Sequence, residues 1–222
     1  MQKKIGVIHA ATGAITPLMQ EFAKQAPDYR VMNFANENFF YYSKEHGGVD
    51  KTILRDFASL VFTAADAGVD AIVVGCSMFC RYTDLMQNFL DIPIIAVDDP
   101  MMEEAAELGV KIGVLATNPV TLPTSSAFLQ SKAEKLGREI TIVQLAVPEA
   151  AAALKTKGKD EHDRLIAAAG QGLVKQGCDT LVMCQITMSG AVDKLQDMAA
   201  KVLSSPAEAV RKVKTILEGT VE

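Results

Sequence analysis

The sequence predicts an α/β fold built twice: two pseudo-symmetric doubly wound lobes, each with a four-stranded parallel sheet. Two observations carry that expectation. Short apolar runs alternate with longer amphipathic stretches from one end of the chain to the other, the pattern of βα units around a parallel sheet. The chain also repeats itself, and a repeat marks its own equivalent positions. Lys4-Ile5-Gly6-Val7-Ile8 returns as Lys111-Ile112-Gly113-Val114-Leu115, and Gly68-Val69-Asp70 returns as Gly177-Cys178-Asp179. Each Gly-x-Asp leads into an apolar run that closes on a cysteine, Cys76 in the first half and Cys184 in the second. Even the ends agree, Val97-Asp98-Asp99-Pro100 matching Leu203-Ser204-Ser205-Pro206.

Taken in chain order, the expected strands of the first half are Lys4–His9, Tyr29–Phe34, Ala71–Gly75 and Ile92–Val97. Those of the second are Lys111–Thr117, Glu139–Leu145, Thr180–Cys184 and Ala200–Leu203. Several are apolar almost throughout, as strands covered by helices on both faces should be. Helices are expected at Lys51–Ala67, Met101–Leu108, Ser125–Leu136, Asp160–Gln176 and Pro206–Leu217. An Ala-rich helix, Phe57–Ala67 or Leu165–Gln176, precedes the cysteine-bearing strand in each half. The boundary falls near Asp98, giving lobes 1–98 and 99–205, with the last helix, 206–222, packing back on the first lobe. No Gly/Ser-rich or Pro-rich linker separates the halves, so a close packing with a cleft between them is expected.

Composition narrows the function classes. The 222 residues are 49% hydrophobic and 22% charged, enough to bury one large core or two small ones. A net charge of −5 and a pI near 5.3, with no Lys/Arg cluster, argue against nucleic-acid binding. The apolar run behind Lys3-Lys4 has only the length of a buried strand, so neither a signal peptide nor a membrane span is expected. Four cysteines in such a chain read as reduced thiols in the cytoplasm. Their spacings, C-x3-C and C-x5-C with no His close by, do not make a zinc site.

Ligands of open parallel sheets sit beyond the C-terminal ends of the strands, and both Cys76 and Cys184 fall at that edge. Two thiols approaching one cleft from opposite sides suit a reaction that removes a proton from one face of a carbon and delivers one to the other. A strand end feeding a helix N-terminus can depress a thiol pKa, which such chemistry requires. Either cysteine alone reads equally as a small buried residue, since free Cys is among the most buried types. Cys80 and Cys178 are read as structural. Ser77 and Gln185, directly after the two cysteines, are candidate hydrogen-bond donors at the rim. The loops His9-Ala10-Ala11-Thr12-Gly13 and Thr117-Asn118-Pro119-Val120-Thr121 offer backbone N–H groups and hydroxyls for an anion. His9, Thr12, Thr117, Asn118 and Thr121 are therefore further substrate-binding candidates. His9 also reads either as a proton donor or as a satisfied strand-end residue. The aromatic run Asn36–Ser43 is expected to form a loop, serving as a pocket wall or packing at an interface.

The repeated halves, the Ile-Gly-Val first strand, a cysteine in each half and the run Gly113-Val114-Leu115-Ala116-Thr117 resemble the aspartate/glutamate racemase superfamily over the whole chain. That resemblance implies an isomerase without cofactor or metal, in which Cys76 and Cys184 act as an acid/base pair on opposite faces of the substrate α-carbon. By position, Ser77, Thr117 and Gln185 would hold the carboxylate. The implied substrate is an amino acid, a hydantoin or a related small acid, and the implied assembly a homodimer. The chain departs from the amino-acid racemases where Ser77-Met78 follows the first cysteine and Gln185-Ile186-Thr187 the second. Maleate isomerase-like addition of a thiolate to an alkene is an alternative within the superfamily. A non-catalytic small-molecule binding protein is the alternative outside it.

Overall fold

The computed structural model describes residues 2–219. In chain order its elements are β1 (Lys4–His9), α1 (Ile15–Gln25), β2 (Arg30–Ala35), α2 (Asn38–His46), α3 (Lys51–Asp66), β3 (Ala71–Val74), α4 (Thr83–Gln87), β4 (Ile94–Ala96) and α5 (Asp99–Leu108). There follow β5 (Lys111–Ala116), α6 (Thr121–Lys135), β6 (Thr141–Ala146), α7 (Pro148–Thr156), α8 (Lys159–Lys175), β7 (Thr180–Met183), β8 (Lys201–Ser204) and α9 (Ser205–Glu218). The chain divides into two compact units. One runs to Asp99 and resumes at Ala209, and the other is Pro100–Glu208. Residues 220–222 of the expected last helix lie outside the described residues.

Each unit holds one four-stranded parallel sheet, ordered β2-β1-β3-β4 in the first and β6-β5-β7-β8 in the second. The two units thus share one topology. Matching devices build it. Gly68 and Gly177 take positive φ (70° and 87°) behind α3 and α8, a left-handed exit that glycine makes without steric penalty. Two residues later an aspartate clamps the start of the neighbouring strand: Lys4 N–H donates to Asp70 at 2.7 Å, and Lys111 N–H to Asp179 at 3.0 Å. Helix α3 begins at Asp50, whose carboxylate accepts from the N–H groups of Thr52 and Ile53 at 2.9 and 3.1 Å.

The first core gathers Ile8, Ile72 and Val74 of the sheet against Ile53, Phe57 and Val61 of α3. The second unit has a core on each face of its sheet. One holds Val114, Ala116, Val182 and Cys184 with α5 and α6, the other Leu115, Leu181 and Met183 with α8. The aromatic run is not a loop. It forms α2, because Phe39 turns inward, edge-on to Phe79 with ring centroids 5.0 Å apart, while Phe40 and Tyr41 stay exposed. Helix α6 starts at Thr121, earlier than expected, and α7 and a 3-10 segment at Ile186–Leu195 are additions to the sequence reading.

Candidate active site

The first unit places Cys76 two residues beyond β3, half-buried, over the core of α3. The turn that follows is pinned from below: Phe79 stacks on Phe57 at 4.3 Å, and its N–H donates to the Cys76 carbonyl at 3.0 Å. Burial pushes the Cys76 thiol up to about 11; the N–H groups of Met78 and Phe79 favour its thiolate, and the Asp98 carboxylate opposes it. The sequence reading had no role for Asp98 at this site. It is buried at the end of the fourth strand, where the Cys80 thiol donates to it at 3.8 Å. Its signal in the sequence was its place: the carboxyl end of a strand adjoining β3. Cys80 itself is buried, and the Cys76 carbonyl, 3.6 Å from its sulfur, is the alternative acceptor for its single proton.

The other first-unit candidates divide. His9 is fully buried, with Nε2 paired to Asn33 Oδ1 at 2.9 Å, and burial holds its pKa below the usual histidine value. Its ring lies toward Gly75, where a side chain's Cβ would come within 3.3 Å of Nδ1. Val73 and Gly75 alternate with Val74 and Cys76 along the strand, so His9 and Cys76 belong to opposite faces of the sheet. Thr12 is exposed and its hydroxyl donates to Glu37 at 2.9 Å, so it already holds a carboxylate of the chain itself. Ser77 is exposed beside Cys76.

In the second unit Thr117, Asn118 and Gln185 come together. Gln185 Oε1 accepts from Thr117 N–H at 2.6 Å, Thr117 O–H at 2.8 Å and Asn118 N–H at 3.3 Å. Two of those donors are backbone N–H groups, which can only donate, so the amide oxygen faces them. Thr121 opens α6 at the end of the same loop. Cys184 is 1% exposed and belongs to the core beneath α5 and α6.

The hydrogen-bond register corrects one expectation. Ile8 pairs with Val74 and Leu115 with Met183, after which Gly75 N–H donates to the Ile8 carbonyl at 2.8 Å and Cys184 N–H to the Leu115 carbonyl at 3.0 Å. Cys184 is therefore the counterpart of Gly75. The counterpart of Cys76 is Gln185. A shift of one residue in a strand turns a side chain to the other face, and the core memberships agree. Cys76 packs with the core against α3, whereas Cys184 lies with Val182 on the face away from α8.

Among the described residues no group of three His, Cys, Asp or Glu side chains could hold a metal ion, and no helix is long and apolar enough to cross a membrane.

A duplicated four-stranded parallel α/β unit belongs to the class of open-sheet folds whose ligands sit beyond the carboxyl ends of the strands, and Cys76 lies at such an end. Solved structures of this fold include an aspartate racemase homologue from Pyrococcus horikoshii (TM-score 0.72, 16% identity, 97% of this chain and 99% of that one). An allantoin racemase from Klebsiella pneumoniae matches with a TM-score of 0.72 at 15% identity, over 98% of this chain and 88% of that one. A glutamate racemase from Bacillus anthracis matches with a TM-score of 0.67 at 20% identity, over 99% and 83%. No curated protein matches in sequence. The family model for Asp/Glu/hydantoin racemases matches residues 5–213. The chain belongs to that family, and it is an isomerase of the racemase class.

Proposed function

We propose that the chain is a cofactor-independent racemase or isomerase of a small molecule bearing a carboxylate or a hydantoin-like carbonyl, with the Cys76 thiolate taking the proton from the adjacent carbon. The single observation that carries this is Cys76 itself. It sits at the carboxyl end of β3, with its sulfur facing the N–H groups of Met78 and Phe79 and its turn fixed by the Phe57–Phe79 stack. Proton abstraction next to a carbonyl places negative charge on the carbonyl oxygen. Ser77, exposed beside Cys76, is the donor we assign to it, an oxyanion donor being worth about 3 kcal/mol in the transition state. In D2O the wild-type protein is expected to wash deuterium into the α-position of its substrate, and Cys76→Ser to abolish that exchange while the circular-dichroism spectrum stays unchanged. Retained exchange in Cys76→Ser would overturn the assignment.

The register of Gln185 favours a second reading, cis–trans isomerisation of an unsaturated diacid. This needs one thiol only: the thiolate adds to one alkene carbon, the electron pair passes into the carboxylate, the carbon–carbon bond rotates, and elimination returns the thiolate. A substrate adduct on Cys76 detected by mass spectrometry, without solvent deuterium in the product, would select it.

A further inference from the structure

Cys80 lies on the turn that Cys76 begins. The N–H groups of Phe79 and Cys80 donate to the carbonyls of Cys76 and Ser77 at 3.0 and 3.4 Å, and this tight path brings the Cys80 sulfur to 3.6 Å from the Cys76 carbonyl. On its other side is Asp98, whose Oδ2 is 3.8 Å from the same sulfur. The three groups sense one another: the Asp98 carboxylate opposes ionisation of both thiols, and a Cys76 thiolate opposes that of Cys80. All three belong to the first unit. The thiols differ in access. Cys76 is half-buried, whereas Cys80, Cys178 and Cys184 are buried. A small oxidant entering from solvent therefore meets Cys76 first, with a second thiol behind it on the same turn.

We propose that Cys76 and Cys80 form a reversible thiol pair: a peroxide oxidises Cys76, and Cys80 resolves the product as a disulfide that withdraws Cys76 until a thiol reductant reopens it. The pairing stands on the geometry of the first unit alone. Its consequence for turnover rests on the proton-transfer reading of Cys76.

The chemistry balances in two steps. The Cys76 thiolate attacks one oxygen of the peroxide, the O–O bond breaks, and Cys76 sulfenic acid and hydroxide result. The Cys80 sulfur then attacks the Cys76 sulfur. The S–S bond forms as the S–O bond breaks, Asp98 is placed to take the Cys80 proton, and the hydroxyl leaves as water with that proton. Two thiols have lost two electrons and the peroxide has gained them. A ring closed over only three intervening residues is strained, and strain makes a disulfide easier to reduce. Such a bond suits a switch and not a permanent brace.

The experiment treats the full-length reduced protein with hydrogen peroxide at mildly alkaline pH, which raises the thiolate fraction of Cys76. Remaining thiols are blocked with iodoacetamide and the protein is cut with trypsin. Cleavage after Arg55 and Arg81 leaves both cysteines on one peptide, Asp56–Arg81. The expected peptide is lighter by two hydrogen atoms than its reduced form and carries no alkyl group. Dithiothreitol added before the alkylation should restore two alkyl groups. In Cys80→Ser the first thiol has no partner, so Cys76 should gain two oxygen atoms as the sulfinic acid, which dithiothreitol does not reverse. Fragment ions separate oxygen on Met78 from oxygen on either cysteine. Wild-type peptide with Cys76 as sulfinic acid and Cys80 alkylated overturns the proposal, as does a disulfide joining Cys76 to Cys178, to Cys184 or to a second chain. The wild-type peptide decides even where Cys80→Ser fails to fold. Deuterium exchange read on the same samples should be lost on closure and return with dithiothreitol. Exchange that persists with the disulfide closed overturns the role of Cys76 as base and leaves the thiol pair standing.

Discussion

At the scale of single residues, the proposed role of Cys76 as a base has to be set against a thiol that burial pushes up to about 11. At neutral pH most of it is protonated, so the rate of exchange should follow the thiolate fraction and climb with pH toward that value. Asp98 sets part of the height. Its carboxylate and the thiolate carry like charge, so ionising the second beside the first is disfavoured. Asp98→Asn removes that repulsion and is expected to lower the Cys76 pKa, moving the rising limb of the pH–rate profile to lower pH and increasing exchange at neutral pH. The Cys80 thiol can still donate to the asparagine oxygen, so the variant keeps one hydrogen bond of the original. An unmoved limb would mean that Cys76 does not govern the profile. Thr12 offers a second residue-scale test. Glu37 occupies its hydroxyl, so Glu37→Ala, which removes the acceptor, should tighten binding of a carboxylate substrate if that loop takes part, read as a fall in KM with kcat unchanged.

At the scale of elements, the strand ends explain both what the sequence made legible and what it hid. The α/β class, eight strands and the paired Gly-x-Asp devices at Gly68 and Gly177 could be read directly, because β-rich runs and glycine-aspartate punctuation leave strong local signals. The place of Cys76 just past the end of β3 was legible as well, since the apolar run closes on it. The partner of Cys76 was not, because the repeat fixes position only to within a residue or two, and in a strand one residue decides the face. Hydrogen bonds from Gly75 to Ile8 and from Cys184 to Leu115 supply that last residue of precision. Helix α2 was hidden for another reason: Phe39 has no helical pattern to announce it until Phe79, forty residues away in sequence, provides the ring it packs against. The close packing of Gly75 against the Ile8 carbonyl and His9 is testable by overpacking. Gly75→Ala should destabilise the protein by about 1–3 kcal/mol, seen as a lower urea midpoint, because the new methyl meets a backbone carbonyl that cannot easily give way. Gly75→Ala combined with His9→Ala should recover part of that loss relative to the sum of the single variants, and strict additivity would remove His9 from the account.

At the scale of the whole molecule, the order of the chain matters more than its division. The unit Pro100–Glu208 is one continuous segment, whereas the first unit is completed only when the chain returns at Ala209. That returning stretch of α9 is tied to the first unit by side chains from both directions. Lys214 donates to the Gln25 carbonyl at 2.8 Å, and the Tyr29 hydroxyl donates to Glu218 at 2.7 Å. Ala209, Val210 and Val213 are fully buried. Burying each valine side chain contributes about 1.5–3 kcal/mol, so the two together amount to a large share of the ~5–15 kcal/mol that holds a typical domain folded. Ending the chain after Glu208 should therefore unfold the first unit while leaving every residue of the second in place. Hydrogen exchange read by mass spectrometry distinguishes the outcomes: peptides of β1 and β3 should lose protection in the truncated protein, and those of β5 and β7 should keep it. The same truncation should abolish the reactivity that depends on an ordered Cys76 turn, because the Phe57–Phe79 stack and the N–H groups of Met78 and Phe79 belong to the unit that has come apart. Equal protection of all four strands after truncation would show that α9 is dispensable to the first unit and that its buried valines stabilise something else.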